Sequence, residues 1–312
     1  MAAGGRVLII RGGAVGDFIL TLPALRLLRE SLPENRVEVL GYPGISALAV
    51  AAGLADSTRA LEHGSMARLF ARGAAIDPEL AAYLAGFNLV LSYLYDPDGI
   101  FRDNLARAGV RTLIECPHQV QPGQGHAALQ LARSLERLAL FLEDSDWRRP
   151  FFPRRAPQGD APVIALHPGS GSERKNWPLE RWLEVASGLR AGGCRVVFVT
   201  GEAEEARGQL APIAAGWEVW HQRPLPELAG LLGGCSGFLG HDSGMSHLAA
   251  ACGLPCLLLF GPTDSEVWAP PQAGARVLRA VAGDLAALSV DEVAAAVRHW
   301  LVEIRAQAKT IL

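Results

Sequence analysis

Several features that would assign a chain to a specialised class are scarce in this sequence. The formal net charge of its 312 residues is only −3, so no basic surface predicts a nucleic-acid partner. The five cysteines are scattered and odd in number, which favours a reduced, cytosolic protein over a disulfide framework. The longest apolar stretch, around residues 248–260, is interrupted by Gly253 and Pro255. It is shorter than the ~20 residues of a membrane-spanning helix. We therefore expect a soluble, cytoplasmic protein without a transmembrane segment, and peripheral membrane contact is left open.

Hydrophobic residues are plentiful, at 50% of the chain, and their pattern predicts a parallel α/β architecture. Short apolar runs predict strands at 6–11, 36–41, 88–92, 111–114, 163–167, 195–200, 237–239 and 256–260. The 3.6-residue periodicity between them predicts helices at 17–31, 43–52, 99–107, 125–142, 179–191, 202–210, 226–232, 245–252 and 290–307.

The segment 143–162 has the character of an interdomain linker. It holds four prolines and four arginines and has no periodicity. We therefore predict two domains, 1–150 and 151–312. The arginines form either a solvated linker face or a surface attracted to an anionic lipid surface or to the acceptor.

A glycine-rich turn follows the first predicted strand in "RGGAVGDFILTLPALRLL". Gly12, Gly13 and Gly16 allow a sharp turn into a helix, and Asp17 lies at or beside the start of that helix. Asp17 is either a helix cap or a general base at the carboxyl end of the strand. The glycine spacing differs from the dinucleotide-binding fingerprint, and no acidic residue ends the second strand at Tyr42.

A second small-residue loop, "HPGSGSERKNWP", connects a predicted strand to a predicted helix. Ser170, Gly171 and Ser172 provide hydroxyls and backbone amides for phosphate oxygens, and Lys175 adds a positive charge. The alternative is that Lys175 is an ordinary surface lysine with no role in ligand binding.

A third loop, "HDSGMSHLAAACGLPCLLLFGPTD", repeats the strand, loop and helix order. Asp242, Ser243 and Gly244 stand where the helix begins, and His247 follows on its first turn. Asp242 alone is explained by helix capping. The polar segment 261–264 follows the next strand, however. With the loops that hold Ser170 and Asp242, it makes three loops of ligand-binding residue types at one sheet edge, and helix capping alone explains such a group poorly.

Together, the stretches "RGGAVGDFILTLPALR", "HPGSGSERKNWPLERW" and "HDSGMSHLAAACGLPCLLLFGPTD" resemble glycosyltransferase family 9, the ADP-heptose:lipopolysaccharide heptosyltransferases and their relatives. The resemblance implies a GT-B fold, with two Rossmann-like domains facing each other across a cleft. It implies that the first domain binds the acceptor and the second the nucleotide-sugar donor, and that the last helix packs on the first domain. The activity implied is an inverting, metal-independent transfer of a sugar such as heptose from ADP-heptose to a lipopolysaccharide core or related glycan.

The resemblance also implies roles for individual residues. Asp17 corresponds to the general base, Lys175 is a second catalytic residue, and the turn of Gly12, Gly13 and Gly16 lies on the acceptor side. The donor contacts implied are Ser170, Gly171, Ser172, Lys175, Gly201, Glu202, Asp242, Ser243, Gly244, Met245 and His247. No metal or cofactor is implied beyond the nucleotide-sugar co-substrate, and the lipid-linked or glycan acceptor is expected at the inner face of the inner membrane. Two other functions stay open: a non-catalytic nucleotide-sugar-binding protein and a nucleotide-dependent oxidoreductase.

Overall fold

The computed structural model of the protein describes residues 4–143, 145–156, 159 and 161–310. These residues form two compact units that divide after Trp147, within the proline-rich segment 143–162. Each unit contains a parallel β-sheet whose strands are connected mainly by helices. Short apolar runs become strands of such sheets because helices cover both faces of the sheet.

The described residues of the first unit form a five-stranded sheet in the order β3-β2-β1-β4-β5. Its strands are β1 Arg6–Arg11, β2 Arg36–Gly41, β3 Ser57–Ala60, β4 Leu89–Ser92 and β5 Leu113–Glu115. Its helices are α1 Val15–Ser31, α2 Pro43–Ala51, α3 Pro78–Ala85, α4 Ile100–Arg107 and α5 Ala127–Ala132. The strand order reverses between β1 and β4, where loops leave toward opposite faces and open a crevice.

The second unit repeats this plan, with six strands among its described residues in the order β8-β7-β6-β9-β10-β11. Its strands are β6 Val163–Leu166, β7 Arg195–Thr200, β8 Glu218–His221, β9 Gly237–His241, β10 Cys256–Phe260 and β11 Ala275–Arg279. Its helices are α6 Leu179–Ala191, α7 Glu202–Ala206, α8 Leu210–Ala214, α9 Leu225–Leu232, α10 Gly244–Ala251, α11 Ser265–Trp268 and α12 Val290–Thr310. The order reverses between β6 and β9, which pair in parallel.

The final helix, α12, packs into the core of the second unit. Val297, Trp300 and Ile304 belong to the same buried cluster as Trp182 of α6. These three residues form the apolar face of α12, and their burial holds the helix against the core of the second unit. The expected contact between this helix and the first unit stays a prediction.

Among the described residues, five of these elements are absent from the sequence-based prediction: β3, β8, β11, α3 and the four-residue helix α11. The three strands lie at sheet edges and are partly exposed along their length, so they lack a continuous buried run. A signal for α3 is present in the sequence, because Asp77 precedes Pro78 and caps the helix by accepting from the backbone N–H of Glu79 (2.9 Å).

Two predicted helices are wrong in extent. The segment 125–142 is α-helical only as α5 and continues as a 3₁₀ turn over Arg133–Leu138, which ends where Ala139 adopts a φ of 57°. The segment 202–210 divides into α7 and the start of α8, because Gly208 adopts a φ of 70° between them.

All five cysteines are buried and free. Across the described residues, none of the helices combines the length and apolar character needed to cross a bilayer.

Candidate active site

The predicted ligand loops of the second unit leave the sheet where its strand order reverses. The loop after β6 holds Ser170 and Lys175, and the loop after β9 holds Asp242. Leu166 pairs with Leu239 across these two strands, so both loops begin at the same edge of the sheet. Ligands of open α/β folds bind in the crevice at this position.

A salt bridge joins the two loops. Lys175 Nζ lies 2.6 Å from Asp242 Oδ2, and the Asp242 side chain is only 9% exposed against 34% for Lys175. The cap of α10 is Ser243, whose hydroxyl accepts from the backbone N–H of Ser246 (3.4 Å). Asp242 is therefore not the cap of this helix, and its partner is the lysine of the neighbouring loop.

His241 holds the two loops in this arrangement. Its Nε2 accepts from the backbone N–H of Trp177 (2.7 Å) and from Nε1 of Trp182 (3.1 Å). Its carbonyl accepts from the hydroxyl of Ser246 in α10. Complete burial lowers the pKa of His241 to about 3, so the ring is neutral and Nε2 remains an acceptor. This role of His241 was not predicted from the sequence, although the His241-Asp242 pair at a strand end was the available signal.

The Ser170 side chain organises its own loop. Its hydroxyl lies 2.8 Å from both the Ser172 carbonyl and Asn176 Oδ1, and its carbonyl accepts from Arg207 Nη1 (2.9 Å). Gly171 and Ser172 are exposed at the tip of the loop. The atoms of this loop that remain accessible to a ligand therefore belong mainly to Gly171 and Ser172.

The buried carboxylate of Glu204 connects the loop after β6 to the loop after β7. Its Oε2 accepts from the backbone N–H of Gly201 (2.7 Å). A Cβ atom at Gly169 would lie 1.9 Å from its Oε1, so only glycine fits at that position. Burial also lowers the pKa of His167, and the nearby Glu204 charge opposes that shift. Glu204 and His167 were not predicted from the sequence, because the contact of Glu204 with Gly169 and the hydrogen bond of His167 with the Val199 carbonyl join positions far apart in the chain.

The remaining predicted donor residues surround these loops. Gly201 and Glu202 follow β7, the neighbour of β6, and Glu202 is exposed. Ser243, Gly244 and Met245 are half-buried at the start of α10, whereas His247 is buried one turn along. In the polar segment 261–264 after β10, Asp264 caps helix α11 by accepting from the backbone N–H of Glu266 (3.0 Å).

Asp17 lies on the first turn of α1 without being its cap. The N-cap residue is Ala14, and Asp17 is the third residue of the helix. The backbone carbonyl of Asp17 accepts from Thr21 Oγ1 (2.8 Å) and from Arg11 Nη2 (3.2 Å). Its carboxylate lies beside the glycine turn, where a Cβ at Gly13 would be 3.5 Å from Oδ2. Asp17 is therefore not the N-cap residue of α1, and its role as the general base stays a prediction.

A buried arginine lies beneath this turn. Arg11 ends β1, is 6% exposed, and places its guanidinium carbon 5.4 Å from the ring centre of Tyr93. Burial lowers the pKa of Arg11, while the nearby charge of Asp17 opposes that shift. The positive charge under the glycine turn is a feature that local sequence patterns did not reveal.

The described residues contain no group of three or more histidine, cysteine, aspartate or glutamate side chains arranged to hold a metal ion. Two carboxylates lie close in sequence at Asp96 and Asp98. The Asp96 carboxylate accepts from the backbone N–H groups of Phe101 (3.0 Å) and Arg102 (2.8 Å) and so stabilises the start of α4. Metal independence stays a prediction.

The family profile described as Glycosyltransferase family 9 (heptosyltransferase) matches residues 122–293, more than half of the chain. The chain belongs to glycosyltransferase family 9. The lipooligosaccharide heptosyltransferase 2 of Haemophilus influenzae is 26% identical over 46% of this chain and 44% of its own length. The lipopolysaccharide heptosyltransferase 1 of Pseudomonas aeruginosa is 36% identical over 33% of this chain and 30% of its own length. The aligned part of this family member thus spans less than half the length of these two relatives.

Solved structures share the fold over nearly the whole chain. A family 9 glycosyltransferase from Veillonella parvula has a TM-score of 0.76 at 20% identity, covering 97% of this chain and 99% of its own. The E. coli heptosyltransferase WaaC with ADP has a TM-score of 0.72 at 20% identity, covering 95% and 99% of the two chains. The predicted GT-B class, with two parallel α/β sheets, is confirmed.

Proposed function

We propose that this protein is an inverting, metal-independent glycosyltransferase that transfers heptose from ADP-heptose to a lipopolysaccharide core or related glycan. The observation that carries the proposal is the Lys175–Asp242 pair, 2.6 Å apart at the strand-order reversal of the second unit. Family membership and the heptosyltransferase names of its relatives support the sugar and the acceptor class. The structure of E. coli WaaC with ADP supports the nucleotide.

The donor is assigned to the second unit. An ammonium group has three donor hydrogens, so Lys175 can keep its bond to Asp242 and still donate to a phosphate oxygen. The backbone amides of Ser243, Gly244 and Met245 at the start of α10 add donors and the positive end of the helix dipole. Asp242 accepts from sugar hydroxyls. Gly171 and Ser172 complete the phosphate contacts, and Gly201 and Glu202 are assigned to the ribose.

The reaction requires one base and one stabilised leaving group. The carboxylate of Asp17 accepts the proton of the acceptor hydroxyl as the oxygen forms a bond to the anomeric carbon of heptose. The bond from that carbon to the diphosphate breaks, and ADP leaves with the electron pair. Lys175 and the α10 amides stabilise the charge that develops on the diphosphate, the role that a metal ion would otherwise fill. Displacement from the opposite face inverts the anomeric configuration.

The acceptor is assigned to the first unit, which contributes the turn of Gly12 and Gly13 together with Gly16 and Asp17 on the first turn of α1. The relatives are named for lipopolysaccharide and lipooligosaccharide, whose cores are lipid-linked glycans. We accordingly propose action at the cytoplasmic face of the inner membrane.

Calorimetry with ADP and ADP-heptose in the presence of EDTA tests the donor half of the proposal. We expect saturable binding of both ligands without divalent metal. Incubation of ADP-heptose with a deacylated inner-core oligosaccharide then tests transfer, and the anomeric configuration of the product is determined by NMR. Binding that requires metal would contradict the mechanism. Binding without any turnover would favour a non-catalytic nucleotide-sugar-binding protein.

A further inference from the structure

The carboxyl edge of the first sheet carries exposed aromatic side chains, accompanied by the half-buried Leu61 and Leu94, which pack against the core. Tyr95 is 66% exposed and Tyr42 is 37% exposed. Exposed aromatic residues concentrated at a ligand-binding edge indicate a recognition surface, because single surface apolar residues are common but clusters are not. We define the aromatic shelf as Tyr42, Leu61, Leu94, Tyr95 and His118.

The sheet register aligns these residues with the glycine turn. Arg11 pairs with Gly41, and Gly41 with Ala60, so Tyr42 and Leu61 follow at the level of Gly12. On the other side, Ile10 pairs with Ser92, and Ser92 with Glu115. Continuing this register places Leu94 level with Gly12, and Tyr95 level with His118. Loops after all five described strands of this sheet therefore contribute to one continuous edge.

Side-chain contacts agree with that register. A Cβ atom at Gly12 would lie 3.6 Å from Leu94, 3.7 Å from Leu61 and 3.8 Å from Tyr42. Beyond Leu94, the ring of Tyr95 lies 4.6 Å from that of His118, centre to centre. Gly13, next to Gly12, is the residue beside which the Asp17 carboxylate lies. The aromatic shelf thus continues from the candidate base toward β5.

We propose that the aromatic shelf binds a pyranose ring of the acceptor glycan, with the ring of Tyr95 packed against the C–H face of the sugar. Tyrosine and histidine rings offer an apolar face with a polar edge, which matches a sugar that has one C–H face and a rim of hydroxyls. Contact with the shelf would orient an acceptor hydroxyl toward Asp17. This inference deepens the proposed function and rests on its assignment of the acceptor to the first unit.

The test measures binding of a deacylated inner-core oligosaccharide to the full chain by calorimetry, without nucleotide. Tyr95→Ala should raise the Kd about fivefold, as expected for loss of one aromatic contact. Tyr95→Phe keeps the ring and should bind like the wild type, and His118→Ala should also weaken binding. Val50→Ala removes an exposed apolar side chain (41% exposed) near the end of α2 and should have no effect.

Two results would overturn the aromatic shelf as a sugar site. One is oligosaccharide binding that is unchanged in Tyr95→Ala. The other is a loss of binding in Tyr95→Phe as large as in Tyr95→Ala, which would make the hydroxyl the contact.

Separate titrations distinguish other failures. Wild-type protein that binds ADP but no oligosaccharide would overturn the shelf and leave the donor assignment intact. Wild-type protein that binds the oligosaccharide but not ADP would contradict the proposed function instead. If Tyr95→Ala lost binding to phospholipid vesicles but kept oligosaccharide affinity, the shelf would be a lipid surface, and the sugar proposal would be wrong.

Discussion

Asp17 combines a position on the first turn of α1 with a carboxylate that does not cap the helix. Asp17→Asn should therefore leave thermal stability and ADP affinity close to wild type. Because asparagine cannot accept the acceptor proton, we expect transfer to fall at least about a hundredfold, the lower limit for loss of a general base. Single-turnover transfer to the inner-core oligosaccharide is the measurement.

Asp77 is a matched control, because its carboxylate caps α3 through the N–H groups of Glu79 and Leu80. Asp77→Ala should lower the free energy of unfolding by about 1 kcal/mol and leave the transfer rate unchanged. Asp17→Ala should show the reverse pattern. If Asp17→Asn keeps most of its rate, Asp17 is not the base.

Lys175 is the charged side chain that we assign to the diphosphate. Lys175→Ala should weaken ADP binding about tenfold or more, since a hydrogen bond to a charged group is worth roughly 1.5–3 kcal/mol. Calorimetry in EDTA measures the change. Lys175 ends a 3₁₀ turn, Glu173–Lys175. Arg174→Ala removes an exposed positive charge from this turn and should change ADP affinity little. Equal losses in the two variants would indicate general charge attraction instead of a specific contact.

The loops after β6 and β7 behave as one structural element, because Glu204 packs against Gly169 and accepts from Gly201. In Gly169→Ala, the new Cβ would lie 1.9 Å from the buried Glu204 carboxylate, so the loop or the Glu204 side chain must shift. We expect both a lower melting temperature and weaker ADP binding, because Ser170 to Lys175 follow in the same loop. Differential scanning calorimetry and titration of the same variant measure the two effects.

Gly188→Ala is the control for a glycine that does not touch another loop. Gly188 lies inside α6, and a Cβ there would have no neighbour within 4 Å. Alanine at that position should be neutral or stabilising by up to about 1 kcal/mol, owing to its higher helix propensity. A Gly169→Ala variant that is as stable and as active in ADP binding as Gly188→Ala would show that the loop adjusts freely.

The stability of the whole protein should depend on pH through its buried histidines. Burial lowers the pKa of His241 to about 3 and also lowers that of His167. Below pH 6.5 the unfolded chain binds protons that these buried rings do not, so the free energy of unfolding falls as pH falls toward 3. The His241 ring contributes about 1.4 kcal/mol per pH unit in this range, and His167 changes the stability in the same direction. Urea denaturation between about pH 7.5 and 5 measures the slope.

His241→Gln separates this contribution from the titration of carboxylates. Glutamine can still accept from Trp177 and Trp182 but does not titrate, so the slope should be shallower whatever the absolute stability. His299→Gln changes a ring that is 79% exposed on α12 and should keep the wild-type slope. An unchanged slope in His241→Gln would contradict the assignment of a neutral buried ring.

Elements with strong local signals were predictable. The buried strands β1, β6 and β10 contain short apolar runs, and the long helix α12 carries clear periodicity. The edge strands β3, β8 and β11 are partly exposed and have no such run. The 3₁₀ segment after α5 also has no signal, because left-handed Ala139, a residue with no preference for that conformation, ends it.

In the candidate site, too, some features follow from residues adjacent in the sequence and others from contacts between residues far apart in the chain. The residue types in the three loops, and their position after apolar runs, are sufficient to propose a phosphate site and to place the chain in its family. The pairing of Lys175 with Asp242 across 67 positions, and the contacts of His241 with Trp177 and Trp182, depend on which strands become neighbours. The same holds for the aromatic shelf, whose members come from four loops. Short-range patterns determine strands, helices and loop chemistry because those depend on neighbours in sequence. Strand order brings distant side chains within hydrogen-bond distance, and that order follows from burial of the complete core.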